Sequence, residues 1–156
     1  MSAPAMPLDF LALEADIVAR LRARCPAARA VLTAEDLADV QARSQTTPAL
    51  HVIYGGYRVL EASETGRNAR TEQTWVVVVA LRAATQRATA ASAPRVRAGE
   101  LVGELLAALM GWRPAANMRP LTLANGPRPV FRDGCAYLPF AFTAAVPVHV
   151  PKTPEE

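Results

Sequence analysis

Apolar residues Phe10, Leu13, Ile17 and Leu21 recur at steps of three and four, the spacing that lines one face of an α-helix. Leu8 to Arg24 therefore reads as an amphipathic helix, with Pro7 suited to its first turn and Pro26 ending it. Ala30 to Leu32 reads as a short strand. Thr33, with Asp36 three residues on, can cap a short helical turn carrying Leu37 and Val40. After Pro48 the pattern turns to β: Leu50 to Tyr54 is a β-rich run, interrupted by Gly55-Gly56 and resumed at Tyr57 to Leu60. Glycine takes positive φ without penalty, so the pair predicts a bulge or sharp bend that does not end the strand.

Glu61 to Arg70 is polar, with Gly66 and Asn68, and predicts a projecting turn. Thr71 to Arg82 follows, and its uninterrupted apolar centre, Trp75 to Val79, is the pattern of a central strand buried on both faces. Ala83 to Pro94 lacks periodicity and predicts a flexible connection. A second helix over Arg95 to Met110 sets Val102, Leu105, Leu106 and Leu109 on one face; Gly99 and Gly103 leave room for another backbone, and Gly111 stops it. Leu121 to Leu123, Val130 to Arg132 and Ala136 to Val146 read as three strands, divided by the turn signals Asn125-Gly126-Pro127 and Asp133-Gly134. Pro139 has no amide hydrogen, which predicts an edge or bulge there. The order helix, strands, helix, strands predicts an α+β fold: a mostly antiparallel sheet packed by two main helices, as a single domain over 1–146, followed by an extended Pro-rich tail over 147–156.

Composition narrows the function classes. A length of 156 residues, 51% apolar and 20% charged, suits one globular domain. The N-terminus lacks a basic then apolar signal, and the longest apolar run is far short of the roughly 20 residues that span a bilayer, so neither export nor a membrane anchor is expected. Cys25 and Cys135 have no neighbouring cysteine that would make a metal clasp. The net charge is +3, and of the 17 basic residues all but Lys152 are Arg. Arginines alternate with acidic residues along the chain, unlike the clustered footprint of a nucleic-acid binder.

Catalysis finds little support. His51 opens a β-rich run and His149 lies in the tail, and neither has a partner motif for acid–base or nucleophilic work. No phosphate-cradling loop is present, and Gly55-Gly56 is too short for a dinucleotide fingerprint. Glu100 and Glu104 share a helix face but read as solvated, with nothing to complete a metal site. Tyr54, Tyr57, Trp75, Trp112, Tyr137 and Phe140 would form a base-stacking platform only if they shared a sheet face with Arg58 and Arg82; core packing is the plainer account. No catalytic, cofactor-binding or metal-binding residue is assigned.

Five segments together carry a resemblance: Ile17-Val-Ala-Arg-Leu-Arg22, Pro48-Ala-Leu-His-Val-Ile-Tyr-Gly-Gly-Tyr57, Gln73-Thr-Trp-Val-Val-Val-Val-Ala-Leu-Arg82, Gly111-Trp-Arg-Pro114 and Ala136-Tyr-Leu-Pro-Phe-Ala-Phe-Thr143. The chain resembles the phage tail terminator family over Leu8 to Val146, on core and turn residues without a catalytic signature. The resemblance implies a non-enzymatic virion protein without a cofactor, held in the host cytoplasm before assembly. Six copies would form a ring at the head-proximal end of the tail, ending tube polymerisation and joining the head. Its partners would be further copies of itself, the tail tube protein and the head–tail connector or neck protein, with DNA only passing through the lumen and no membrane involved. Another tail-completion or connector protein is the nearest alternative; a nucleic-acid-binding module or a small enzyme using His51 is more distant. Loops and edges carry partner contacts more often than buried strands, which selects Arg58, Glu61, Glu64, Arg67, Arg70, Arg87 and Pro139 as candidate interface residues.

Overall fold

The computed structural model describes residues 8–35, 46–82 and 88–154. Within them two helices, α1 (Leu13–Arg24) and α2 (Ala88–Leu109), pack on a six-stranded sheet of β1 (Ala30–Thr33), β2 (Ala49–Ala62), β3 (Asn68–Arg82), β4 (Thr122–Ala124), β5 (Val130–Arg132) and β6 (Cys135–His149). The spatial order is β1-β2-β3-β6-β4, with β5 also on β6; only β1–β2 is parallel. The fold is the expected single α+β domain.

Helix α1 starts at Leu13, five residues later than its periodicity predicts. The cause is a competing acceptor arrangement. Gln73 Nε2 donates to the Phe10 carbonyl at 2.6 Å, while Glu14 N turns to the Leu11 carbonyl at 3.1 Å, so residues 10–12 form a turn and not a helical ladder. The Asp9 carboxylate accepts from Leu11 N at 3.1 Å and supports that turn. At the other end Cys25 N bonds the Leu21 carbonyl and Pro26 has no N–H to continue. The expected helical turn at Leu37 and Val40 lies outside the described residues.

Helix α2 begins at Ala88, so the expected connection over Ala83 to Pro94 is shorter than its composition implies. Among its described side chains Leu101, Leu105, Ala108 and Leu109 are fully buried, and Val102 and Leu106 are half-buried beside them. A Cβ added at Gly99 or Gly103 would meet nothing within 4 Å, so among the described residues no backbone from another element approaches these two glycines. Gly111, at φ +75°, turns the chain out of the helix and donates to the Leu121 carbonyl.

The core lies between the helices and one sheet face: Ile17 and Leu21 of α1 and Leu101 and Leu105 of α2 meet Leu50, Val52, Trp75, Val77, Val79 and Phe142. Burial of each such side chain contributes about 1.5–3 kcal/mol. Strand β3 does not have both faces sealed. Trp75, Val77 and Val79 are fully buried, whereas Val76 and Val78 are half-buried, because the opposite face carries an open trough of about 300 Å³ between Ile53, Val76, Val78, Val130, Tyr137 and Pro139.

Candidate assembly surfaces

The glycine pair in β2 acts as the sequence predicts. Register shifts between the Tyr54–Trp75 and Tyr57–Gln73 pairs, Gly56 sits at φ +100°, and a Cβ at Gly55 would lie 3.1 Å from the Thr74 carbonyl oxygen. Beyond this bulge β2 and β3 leave the helices behind as a long hairpin, and β6 runs beside them to Val148–Ala69 and His149–Asn68. The result is a three-stranded arm. Its strand β6 ends at His149, beyond the Val146 that the hydrophobic pattern implies.

The turn at the tip is closed by its own side chains. Ser63 N donates to the Asn68 carbonyl, Asn68 N to Ser63 Oγ and Gly66 N to the Ser63 carbonyl, with Gly66 at φ +73°. His149 Nδ1 and Asn68 Oδ1 are 2.6 Å apart, and Val150 N donates to the Arg67 carbonyl at 2.8 Å, which fastens the end of β6 to the hairpin.

Four of the candidate interface residues line this arm and a fifth, Glu64, is exposed in its turn. Arg58 pairs with Glu72 at 3.0 Å and Arg70 with Glu61 at 3.4 Å, joining the strands across the hairpin, and Arg67 donates to the Pro151 carbonyl at 3.2 Å. Such exposed pairs are worth only about 0.2–1 kcal/mol each, so their side chains remain available to a partner. Arg87 lies outside the described residues.

Pro139 is set apart from the arm. It pairs with Val78, and β6 is an interior strand by order, yet its outer side is locally open: β4 covers residues 141–143 and β5 covers 135–137. The Pro139 carbonyl faces Gly126, where an added Cβ would lie 3.1 Å from its oxygen. A strand residue's nitrogen points the same way as its carbonyl, so the missing N–H falls in this gap and costs no ladder bond. Asp133 and Gly134, both at positive φ, close the β5–β6 hairpin.

The chemical candidates are structural in this geometry. His51 is 2% exposed and burial holds its pKa below the usual histidine value. Glu104 is not a solvated residue: its carboxylate accepts from Ala27 N at 3.2 Å, tying α2 to the chain after α1. Cys25 is buried, and desolvation together with the Glu104 charge pushes its thiol up to about 11. Among the described residues no group of three His, Cys, Asp or Glu is placed to hold a metal, and no helix is long and apolar enough to cross a membrane. The aromatic residues do not form one platform, since Trp75 is enclosed in the core with Tyr54 at 5.3 Å, while Tyr57 is exposed on the arm and Tyr137 lines the far trough.

Sequence reasoning misses Gln73. It is fully buried, donates to the Phe10 carbonyl and accepts from Trp75 Nε1 at 3.0 Å, so it holds the N-terminal turn against the root of the arm. Phe10 then packs edge-on against Tyr57, centroids 5.4 Å apart.

A family profile that spans nearly the whole chain places this α+β unit in the class of structural proteins of phage tails. Within that class the chain belongs to the phage tail terminator family, whose sequence profile, described as Phage tail terminator protein, matches residues 6–153. Among solved structures, a chain of a particle titled "Virion of native gene transfer agent (GTA) particle" shares the fold at a TM-score of 0.56 and 21% identity, covering 86% of this chain and 94% of that one. Among curated proteins, none matches the chain in sequence.

Proposed function

We infer that this protein caps the head-proximal end of a phage-type tail tube as a six-membered ring, ends tube polymerisation and presents the surface to which the head connector joins. The observation that carries this reading is the family match across nearly the whole chain. The shared fold with a chain of a gene transfer agent virion supports a place in a virion-type particle. Stopping polymerisation requires no catalysis, only a surface that binds the last tube ring and does not reproduce it.

The arm supplies such a surface. Its tip, with Glu61, Glu64, Arg67 and Arg70, would meet the tube or connector, Arg58 and Pro139 would add contacts at its root and on the far face, and Arg87, outside the described residues, is retained as a further contact on sequence grounds. Tube assembly in the presence and absence of the protein, followed by electron microscopy, tests the reading. Tubes of limited length bearing a ring at one end would support it; tubes that grow equally long with the protein present would overturn it.

A further inference from the structure

The two lateral edges of the sheet are alike in being open and apolar and differ in the charge around them. On the α1 side, β1 pairs only with residues 49–52 of β2, so among the described residues 53–62 leave one side of their ladder unpaired. On the other side, β4 and β5 reach β6 no further than Thr143, so 144–149 are likewise open on their outer side. Open edges are templates for another strand unless something guards them.

Exposed large apolar residues gather at these same edges. Leu11, Tyr57 and Val59 are 46, 60 and 54% exposed on the β2 side, and Leu123, Val130 and Phe131 are 39, 52 and 75% exposed on the β4–β5 side. Their charged surroundings have opposite sign. Asp9, Glu14 and Asp16, at the start of a helix that packs on β1 and β2, accompany the first, where the one arginine between its apolar residues, Arg58, is paired with Glu72 at 3.0 Å. Exposed Arg119, Arg128 and Arg132 accompany the second, with Asp133 at 3.9 Å from Arg132. An apolar centre with complementary polar surroundings is the make-up of a protein–protein interface.

We propose that successive copies of this chain meet head to tail, the acidic β2 edge of one against the basic β4–β5–β6 edge of the next. Two unlike patches on one molecule make a heterologous contact, which closes into a ring when the rotation between copies divides a full turn. A twofold dimer would instead need one patch that complements itself, and neither edge does so in charge. The proposal rests on the ring reading above and assigns the surfaces that would build it, leaving the arm tip for the tube.

The test uses two variants of the full chain. Tyr57→Asp with Val59→Asp spoils the first edge, and Phe131→Asp with Arg132→Glu spoils the second; all four residues are exposed. Masses are measured by light scattering at low salt, and on tube ends after cross-linking. The expected result is a closed oligomer for the wild type, monomers for each variant alone, and dimers for their equimolar mixture, since each variant keeps one working edge. Should either variant fail to fold, Asp16→Arg and Arg132→Glu replace them in the same mixing design. Rings that persist in both variants, or a mixture that stays monomeric, would overturn the edge assignment while leaving the ring intact. A wild type that is monomeric alone and on tube ends would overturn the ring reading with it.

Discussion

Gln73 shows how much can hang on one amide. Its two hydrogen bonds satisfy the half-buried Phe10 carbonyl and the buried Trp75 indole N–H, so Gln73→Leu removes the partner of both groups. The expected loss is about 1–3 kcal/mol for the orphaned buried indole N–H, read as a lower denaturation midpoint. A glutamine in a strand reads as a surface residue from sequence, and its acceptor lies 63 positions away, so nothing local signals its role. Gly55 and Gly56 are legible, because a glycine pair inside a β run breaks the ladder only where the backbone must bulge or bend. Gly56→Val forces a β-branched residue to φ +100° and should cost about 1–3 kcal/mol, whereas an unchanged melting temperature would refute the bulge's conformational demand. His51 gives a pH dependence. Its folded pKa lies below the ordinary 6.5, so the native state favours the neutral ring; that contribution is complete above pH 6.5 and is lost as pH falls through the lowered folded value. A His51→Gln variant should show a flatter stability profile between pH 7 and pH 5 in chemical denaturation.

Among the elements, β3 and the arm are legible in kind but not in extent. Alternation and β-branched residues identify the strands, but residues 68–70 and 147–149 are too polar or too proline-rich to be read as strand without their partners. Periodicity overestimates helix α1, because Leu8 to Ala12 carry the right spacing and the competing hydrogen bond comes from β3. Helix α2 is longer than its pattern implies, because Pro94 and a run of small residues resemble a linker, and one proline within 22 residues does not end it. Of the candidate contact residues, those on the arm stand out by their polarity alone. Reversing charge at the tip with Glu61→Arg and Glu64→Arg should lower stability by no more than about 1–2 kcal/mol and leave the fold intact, since an exposed pair is lost and a like charge is set across from Arg70. The same variant should fail to limit tube length, and normal termination would remove the tip from the contact surface.

The whole molecule is legible as a class more than as a shape. Two amphipathic helices among β-rich runs imply helices on one sheet face, but not that the opposite face stays partly open or that the two edges differ in charge. Those features depend on register and on pairing across the sheet. Strand β3 is the hub of that pairing, with β2 on one side and β6 on the other, and the tie between Asn68 and His149 spans 81 positions. This arrangement sets an order on biosynthesis. When β2 and β3 have left the ribosome they can close as a hairpin within microseconds, yet the partner for the other side of Trp75 to Leu81 is still untranslated. At about 5–20 residues per second, that apolar edge waits for seconds before β6 arrives. A chain stopped after Gly134 should therefore accumulate as insoluble aggregate, and the newly made full-length protein should depend on a holding chaperone until its last strand is in place.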